Sequence, residues 1–183
     1  MANRIMKSIA RWRLVLIPAA VLLSGSCGEQ RATTPSDRTI TSTADVSTGS
    51  PQLVQCPSSQ SLSTIGVVGF PGGTINIGPA SVVIPRGALS LPTLITVTVP
   101  ASPYMEVDVR ANNFTSFLFN SPISLTIDYS RCDPASTDGQ ALSVWHIDQA
   151  SKALLENMGG VNDPVQRKIT VSLPHLSGYA IAF

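Results

Sequence analysis

Ile123-Ser124-Leu125-Thr126-Ile127-Asp128-Tyr129 alternates without a fault, apolar at every odd number and polar at every even one. Successive side chains of a strand point to opposite faces, so this heptapeptide reads as a strand with one dry and one wet face. Upstream, Ile95, Val97 and Val99 alternate with Thr96 and Thr98 in the same way. Working outward, the pattern predicts strands near Thr74 to Ile77, Ser81 to Ile84, Leu94 to Val99, Met105 to Val109, Thr115 to Phe119, Ile123 to Tyr129, Ser143 to Ile147, Lys168 to Leu173 and Gly178 to Phe183. Between them fall turn signals: Pro71-Gly72-Gly73, Pro85-Arg86-Gly87, Asp133-Pro134 with Asp138-Gly139, Gly159-Gly160 and Asn162-Asp163-Pro164. Glycine supplies positive φ there and proline stops a ladder. Gln149 to Glu156 has some helical character, but Ser151-Lys152 reads better as a hairpin loop. Short strands at such spacing are the signature of a sandwich or barrel rather than of helices, and the fold expected is an all-β, immunoglobulin-like antiparallel β-sandwich.

The composition agrees. Charged residues make up 13% of the 183, about half of what is usual for soluble proteins, and 14 Pro and 13 Gly favour turns. The length suits one core with appendages. The net charge of +1 conceals a segregation: Arg4, Lys7, Arg11 and Arg13 crowd the first segment, while from Leu53 onward six Lys and Arg face eight Asp and Glu. That mildly acidic domain has no electrostatic source for binding nucleic acid independently of sequence.

The first 26 residues read as a signal peptide: four cations, an apolar run from Leu14 to Leu23, then Ser24, Gly25 and Ser26 before Cys27. The run is about ten residues, against the ~20 that a membrane-spanning helix needs. Leu23-Ser24-Gly25-Ser26-Cys27 is similar to the lipobox of bacterial lipoproteins, whose cysteine is diacylated and becomes the new N-terminus. The family's leucine stands three residues before the cysteine, whereas Leu23 stands four before it, which leaves ordinary cleavage and a freely secreted product open. Residues 27–53 follow as a Ser/Thr-rich stalk, too poor in large apolar residues to offset its ordering entropy, and the sandwich is expected over 54–183. As a flexible coil the stalk would span ~25 to 30 Å. Acylation of Cys27 would leave an even pair, Cys56 and Cys132, in a compartment that permits disulfides.

Several strings together resemble the ZU-five domain, a β-sandwich module named from zonula occludens proteins and netrin receptors and also found in ankyrins and exported bacterial proteins. They are Gly72-Gly73-Thr74-Ile75, Val82-Val83-Ile84-Pro85-Arg86-Gly87-Ala88-Leu89, Ile95 to Val99, Ser121-Pro122-Ile123-Ser124-Leu125, Val144-Trp145 and His175-Leu176-Ser177-Gly178-Tyr179. The resemblance runs from Gly72 to Phe183 and implies a module for protein contacts, without assigning a partner. Trp145, in an alternating strand, reads as a core residue. It follows both Cys56 and Cys132, which disfavours the immunoglobulin fold proper, where the tryptophan lies between the cysteines.

Recognised catalytic patterns are absent: no nucleophile elbow, phosphate loop, calcium loop or zinc-protease helix occurs. The two histidines are His146 and His175. His146 and Asp148 share a strand face on paper, but two ligands are too few for a closed metal site, so no metal or other cofactor is expected. Asp133 and Asp138 read as turn caps, and Asn113-Phe114-Thr115 matches a glycosylation acceptor. The sharpest chemical signal is His175-Leu176-Ser177. It is similar to the His-Phe-Ser site at which some death-domain proteins with ZU-five domains cut themselves, and to the His-Leu-Ser site of adhesion receptors. Ser177 would attack the Leu176 carbonyl, His175 would take the proton, and a distorted peptide bond would favour the ester. Carbohydrate binding is a further alternative, with Tyr104 as the exposed platform among ten aromatics. The expectation that results is a non-catalytic structural or interaction module on the bacterial cell envelope. Its partners would be an envelope or extracellular protein and, through the anchor, the lipid bilayer, with no nucleic acid and no small-molecule substrate.

Overall fold

Strand β5 (Thr93–Val99) buries every second residue, from Thr93 through Ile95 and Val97 to Val99, and β8 (Leu118–Asp128) buries Ile123, Leu125 and Ile127. The faces predicted from alternation are therefore the faces that pack. The computed structural model describes residues 50–112 and 117–183. In chain order the other strands are β1 (Gln55–Ser58), β2 (Leu62–Val68), β3 (Gly73–Ile77), β4 (Ala80–Ile84), β6 (Ser102–Tyr104), β7 (Glu106–Ala111), β9 (Ser143–Ile147), β10 (Leu154–Gly159), β11 (Val161–Asp163), β12 (Lys168–His175) and β13 (Gly178–Ala182), with one 3-10 turn at Pro134–Ser136. All pairings are antiparallel.

Two sheets form the sandwich. One runs β10-β9-β13-β7-β5-β2, the other β11-β12-β8-β4-β3, and β1 pairs with β6 in a small third sheet. Ile95, Val97, Val107, Val109, Val144 and Ile181 from the first meet Val82, Ile84, Leu125, Ile127, Ile169 and Leu173 from the second in one core. Each such side chain contributes roughly 1.5 to 3 kcal/mol on burial. The chain changes sheet at the turn before β3, where Gly72 has φ +80 and a Cβ would meet the Ile84 carbonyl oxygen at 2.4 Å, so no larger residue fits. Among the described residues no helix is long and apolar enough to cross a membrane.

The small sheet is tied down covalently. Cys56 and Cys132 form a disulfide with 4.3 Å between their α-carbons, inside the ~7 Å that a bridge can span. Gln52 and Leu53, which the sequence places in the stalk, already belong to the sheet: Gln52 and Phe183 exchange both backbone hydrogen bonds at 2.8 and 3.0 Å, and Leu53 bridges Ala182.

Three expectations change. The strands expected at Thr115 to Phe119 and Ile123 to Tyr129 are one strand from Leu118, which runs through Pro122 because its pairing with β12 shifts register between Leu173 and His175. Residues 113–116, including the glycosylation pattern, lie outside the described residues, as do the signal peptide, Cys27 and the stalk up to residue 49. Trp145 is not in the core. It pairs with Ala180, which pairs with Glu106, on the outward face, and its indole nitrogen donates to Ser143 Oγ at 2.9 Å while Val144 points inward. Tyr104 is half-buried in β6 opposite Gln55 and offers no exposed platform.

Candidate functional site

Register brings three polar side chains into one row. Glu156 on β10 lies opposite His146 on β9, and His146 lies opposite Tyr179 on β13. The row continues the face that carries Val144 and Ile181 into the core, so it looks toward the opposing sheet rather than outward. From that sheet His175, the last residue of β12, reaches across to meet it. The imidazole rings of His146 and His175 are 5.5 Å apart, and those of His175 and Tyr179 stack at 6.3 Å. His175 Nε2 is 3.9 Å from Glu156 Oε2. One ligand atom from each of His146, Glu156 and His175 lies within 4.8 Å of the other two. Any cation bound here would be held by these three residues.

Tyr179 fixes the orientation of His175. Its buried hydroxyl has one proton, which it donates to the His175 carbonyl oxygen at 2.6 Å. The Tyr179 hydroxyl oxygen is also 3.3 Å from His175 Nδ1, and with its own proton so used it accepts that contact from Nδ1. Nδ1 therefore carries a proton, and Nε2 is the ring nitrogen that faces Glu156. Burial pushes the Tyr179 phenol well above its ordinary range, which keeps the hydroxyl protonated. Burial, and secondarily the neighbouring His175, lowers the pKa of His146, against the opposite pull of Glu156.

His146 and Asp148, which the alternation places on one strand face, are not brought together. Asp148 stands past the end of β9 and caps the β9–β10 turn, accepting from Ala150 N at 3.1 Å, Ser151 N at 2.7 Å and Ser151 Oγ at 2.7 Å. Those bonds lower its pKa. Asp133 also caps, accepting from Ala135 N at 2.9 Å, whereas Asp138 pairs with Arg167 at 3.1 Å.

His175, Leu176 and Ser177 lie where β12 hands over to β13. The peptide is pinned on both sides: Leu176 N donates to Phe117 O at 3.0 Å, and Ser177 O accepts from Val109 N at 3.0 Å. Leu176 is buried, Ser177 half-exposed. The His175 ring is engaged with Tyr179 and faces Glu156, and among the described residues it makes no hydrogen bond to the Ser177 hydroxyl. Among the described residues the non-glycine positions with positive φ are Asn112, Lys152 and Arg167, so left-handed strain lies away from the Leu176-Ser177 bond.

A second polar cluster occupies the outward face of the same sheet. Glu106, 2% exposed, accepts from Lys152 Nζ at 2.6 Å and from Ser102 Oγ. Beside it Asp108 pairs with Arg110 Nε at 2.6 Å, and Arg110 also reaches Gln149 at 3.2 Å. Burial raises the Asp108 pKa, opposed by Arg110 and Gln149, and its Oδ1 is buried without a hydrogen-bond partner among the described residues.

The sequence missed the meeting of Glu156 with the two histidines because Glu156 sits on a strand that alternation did not reveal. The signal available was that the chain has two histidines, one inside the predicted strand Ser143 to Ile147 and one between the predicted strands Lys168 to Leu173 and Gly178 to Phe183. No family model matches the chain, and no curated protein matches it.

Proposed function

We propose that the domain is a non-catalytic interaction or structural module of ZU-five type, displayed on the bacterial cell envelope through a lipid on Cys27. The observation that carries this reading is the edge strand β2. It pairs on one side with β5 and ends the six-stranded sheet. Its polarity is inverted relative to its neighbours: Thr64 and Gly66 lie in the row of Val97 and Ile95, while Ile65 and Val67 point outward, 62% and 71% exposed. Folded proteins usually blunt such edges with charge or proline, because unpaired backbone groups recruit another strand. An apolar, uncharged edge suits strand addition by an extended segment of an envelope protein, with Ile65 and Val67 contacting its side chains.

The test is affinity capture from envelope fractions with the wild-type chain and with an Ile65→Lys/Val67→Lys variant of equal stability. A partner retained by the first and lost by the second supports the reading, and a partner held equally by both removes β2 from it. Mass analysis of the mature N-terminus reports on the anchor: diacylated Cys27 is expected, and an unmodified terminus downstream of it would defeat the lipid. The self-processing alternative requires His175 to leave Tyr179 and turn to Ser177. A fragment ending at Leu176 in denatured wild-type protein, absent from Ser177→Ala, would establish it; an intact chain is expected.

A further inference from the structure

We propose that His146, Glu156 and His175 form a binding site for a borderline divalent first-row cation, with Zn2+ as the ion that the donor set fits. Two imidazoles and one carboxylate are a donor set that zinc accepts, with a fourth position left for water. The chain has two histidines in all, and the fold brings both to this one place from opposite sheets. Histidine ligands must be neutral and correctly oriented. Tyr179 supplies the orientation for His175 by accepting a hydrogen bond from Nδ1 and so aiming Nε2 at Glu156, the outer-shell role that carbonyls and carboxylates play at metal histidines.

The distances suit closure by side-chain motion. Tetrahedral bonds of ~2.0 Å place donor atoms about 3.3 Å apart, and the three atoms are now within 4.8 Å of one another. Glu156 can make up the difference, since its side chain is 62% exposed on an edge strand whose register shifts on both sides of the Glu156-Asn157 pair. A plain ion pair explains the arrangement less well, because 3.9 Å between His175 Nε2 and Glu156 Oε2 is beyond hydrogen-bond reach. Hard cations such as Mg2+ and Ca2+ prefer six or more oxygens, and one carboxylate does not supply them. With His146 and Glu156 on one sheet and His175 on the other, the ion would also clip the two sheets together.

The experiment is calorimetric titration of the purified chain, carrying no polyhistidine tag, with Zn2+, Mg2+ and Ca2+, together with 15N spectra of the imidazoles. One Zn2+ per chain is expected, binding in the presence of excess Mg2+ and Ca2+, with resonances of both imidazoles shifting and the melting temperature rising. Tyr179→Phe should weaken Zn2+ at least about tenfold, as outer-shell changes do. His146→Gln and His175→Gln should each weaken it more. The wild-type spectra keep the outcome readable even where a variant folds poorly. Imidazole resonances unmoved at saturating Zn2+ would overturn the proposal, including where the ion is bound by a free Cys27 thiol. So would an affinity unchanged in the His146→Gln/His175→Gln double variant.

Discussion

Two polar clusters on the same six-stranded sheet differ in how completely they satisfy themselves. On the outward face, Glu106 is buried but faces both Lys152 and Ser102, and the small sheet that carries Ser102 is bolted to the loop after β8 by the Cys56–Cys132 disulfide. On the inward face, His146, Glu156 and His175 approach one another without closing, and the Tyr179 hydroxyl spends its one proton on a carbonyl. Burying charge is costly unless it is paired and hydrogen-bonded. The Glu106 pairing meets that cost internally and is structural, with only Asp108 Oδ1 beside it left without a partner among the described residues, while the second cluster holds three potential ligand atoms within 4.8 Å of one another without a bond between them.

The contrast can be broken at its strongest point first. Reducing Cys56–Cys132 should lower stability by about 2 to 4 kcal/mol, since the closed loop limits the unfolded chain, and denaturant melts with and without reductant measure it. Lys152→Met should follow at about 2 kcal/mol, because it strands the Glu106 charge; the figure is below that of fully buried pairs since the Lys152 side chain is one-third exposed. Methionine carries the same backbone preference at φ +61, so charge alone is tested. If Glu106→Gln costs as much as Lys152→Met, the cluster is not the self-sufficient ion pair described. Tyr179→Phe without metal should cost about 1 kcal/mol, the worth of its hydrogen bond to the His175 carbonyl.

Acid should act on the inward cluster more gently. The folded His146 pKa lies below its unfolded value of ~6.5, so the unfolded chain takes up its proton first as pH falls. Stability is therefore intact above that range and declines below it, and His146→Gln should flatten the decline in melts between pH 7.5 and 5.5. Smallest of all, Ile65→Thr with Val67→Thr should change stability by less than about 0.5 kcal/mol, as their exposure implies. A larger loss would mean that the outward face of β2 is covered within the domain.

Strands β5, β8 and β12 were legible because burial on one face writes polarity into every second residue. Strand β2 was not, since Gly66 takes an inward position and Ile65 an outward one. A Cβ at residue 66 would meet Ile75 Cδ1 at 3.1 Å, so proximity to the other sheet, and not hydrophobicity, selects the residue there. Strands β10 and β11 are edges with little to bury, and β6 is three residues around Pro103. Trp145 misled for the same reason in reverse: a large aromatic reads as core, yet its register partner Ala180 is small enough to leave it room on the outward face. Of the inward cluster, the two histidines were visible as candidate donors but not their meeting, which depends on the stacking of two sheets and not on spacing along either.

The disulfide has a mechanical consequence. Tension entering from the chain that precedes Ser50 first loads the backbone bonds that hold Gln52 and Val54 to Phe183 and Ile181. Once these peel, the pull reaches Cys56 and passes through the sulfur bridge directly to Cys132, 76 positions further along. Residues 57–131, which include β2 through β8, then carry no load and cannot be drawn out. Extension is confined to the stretch from Cys132 toward the C-terminus, so tension cannot straighten β2 while the bridge holds.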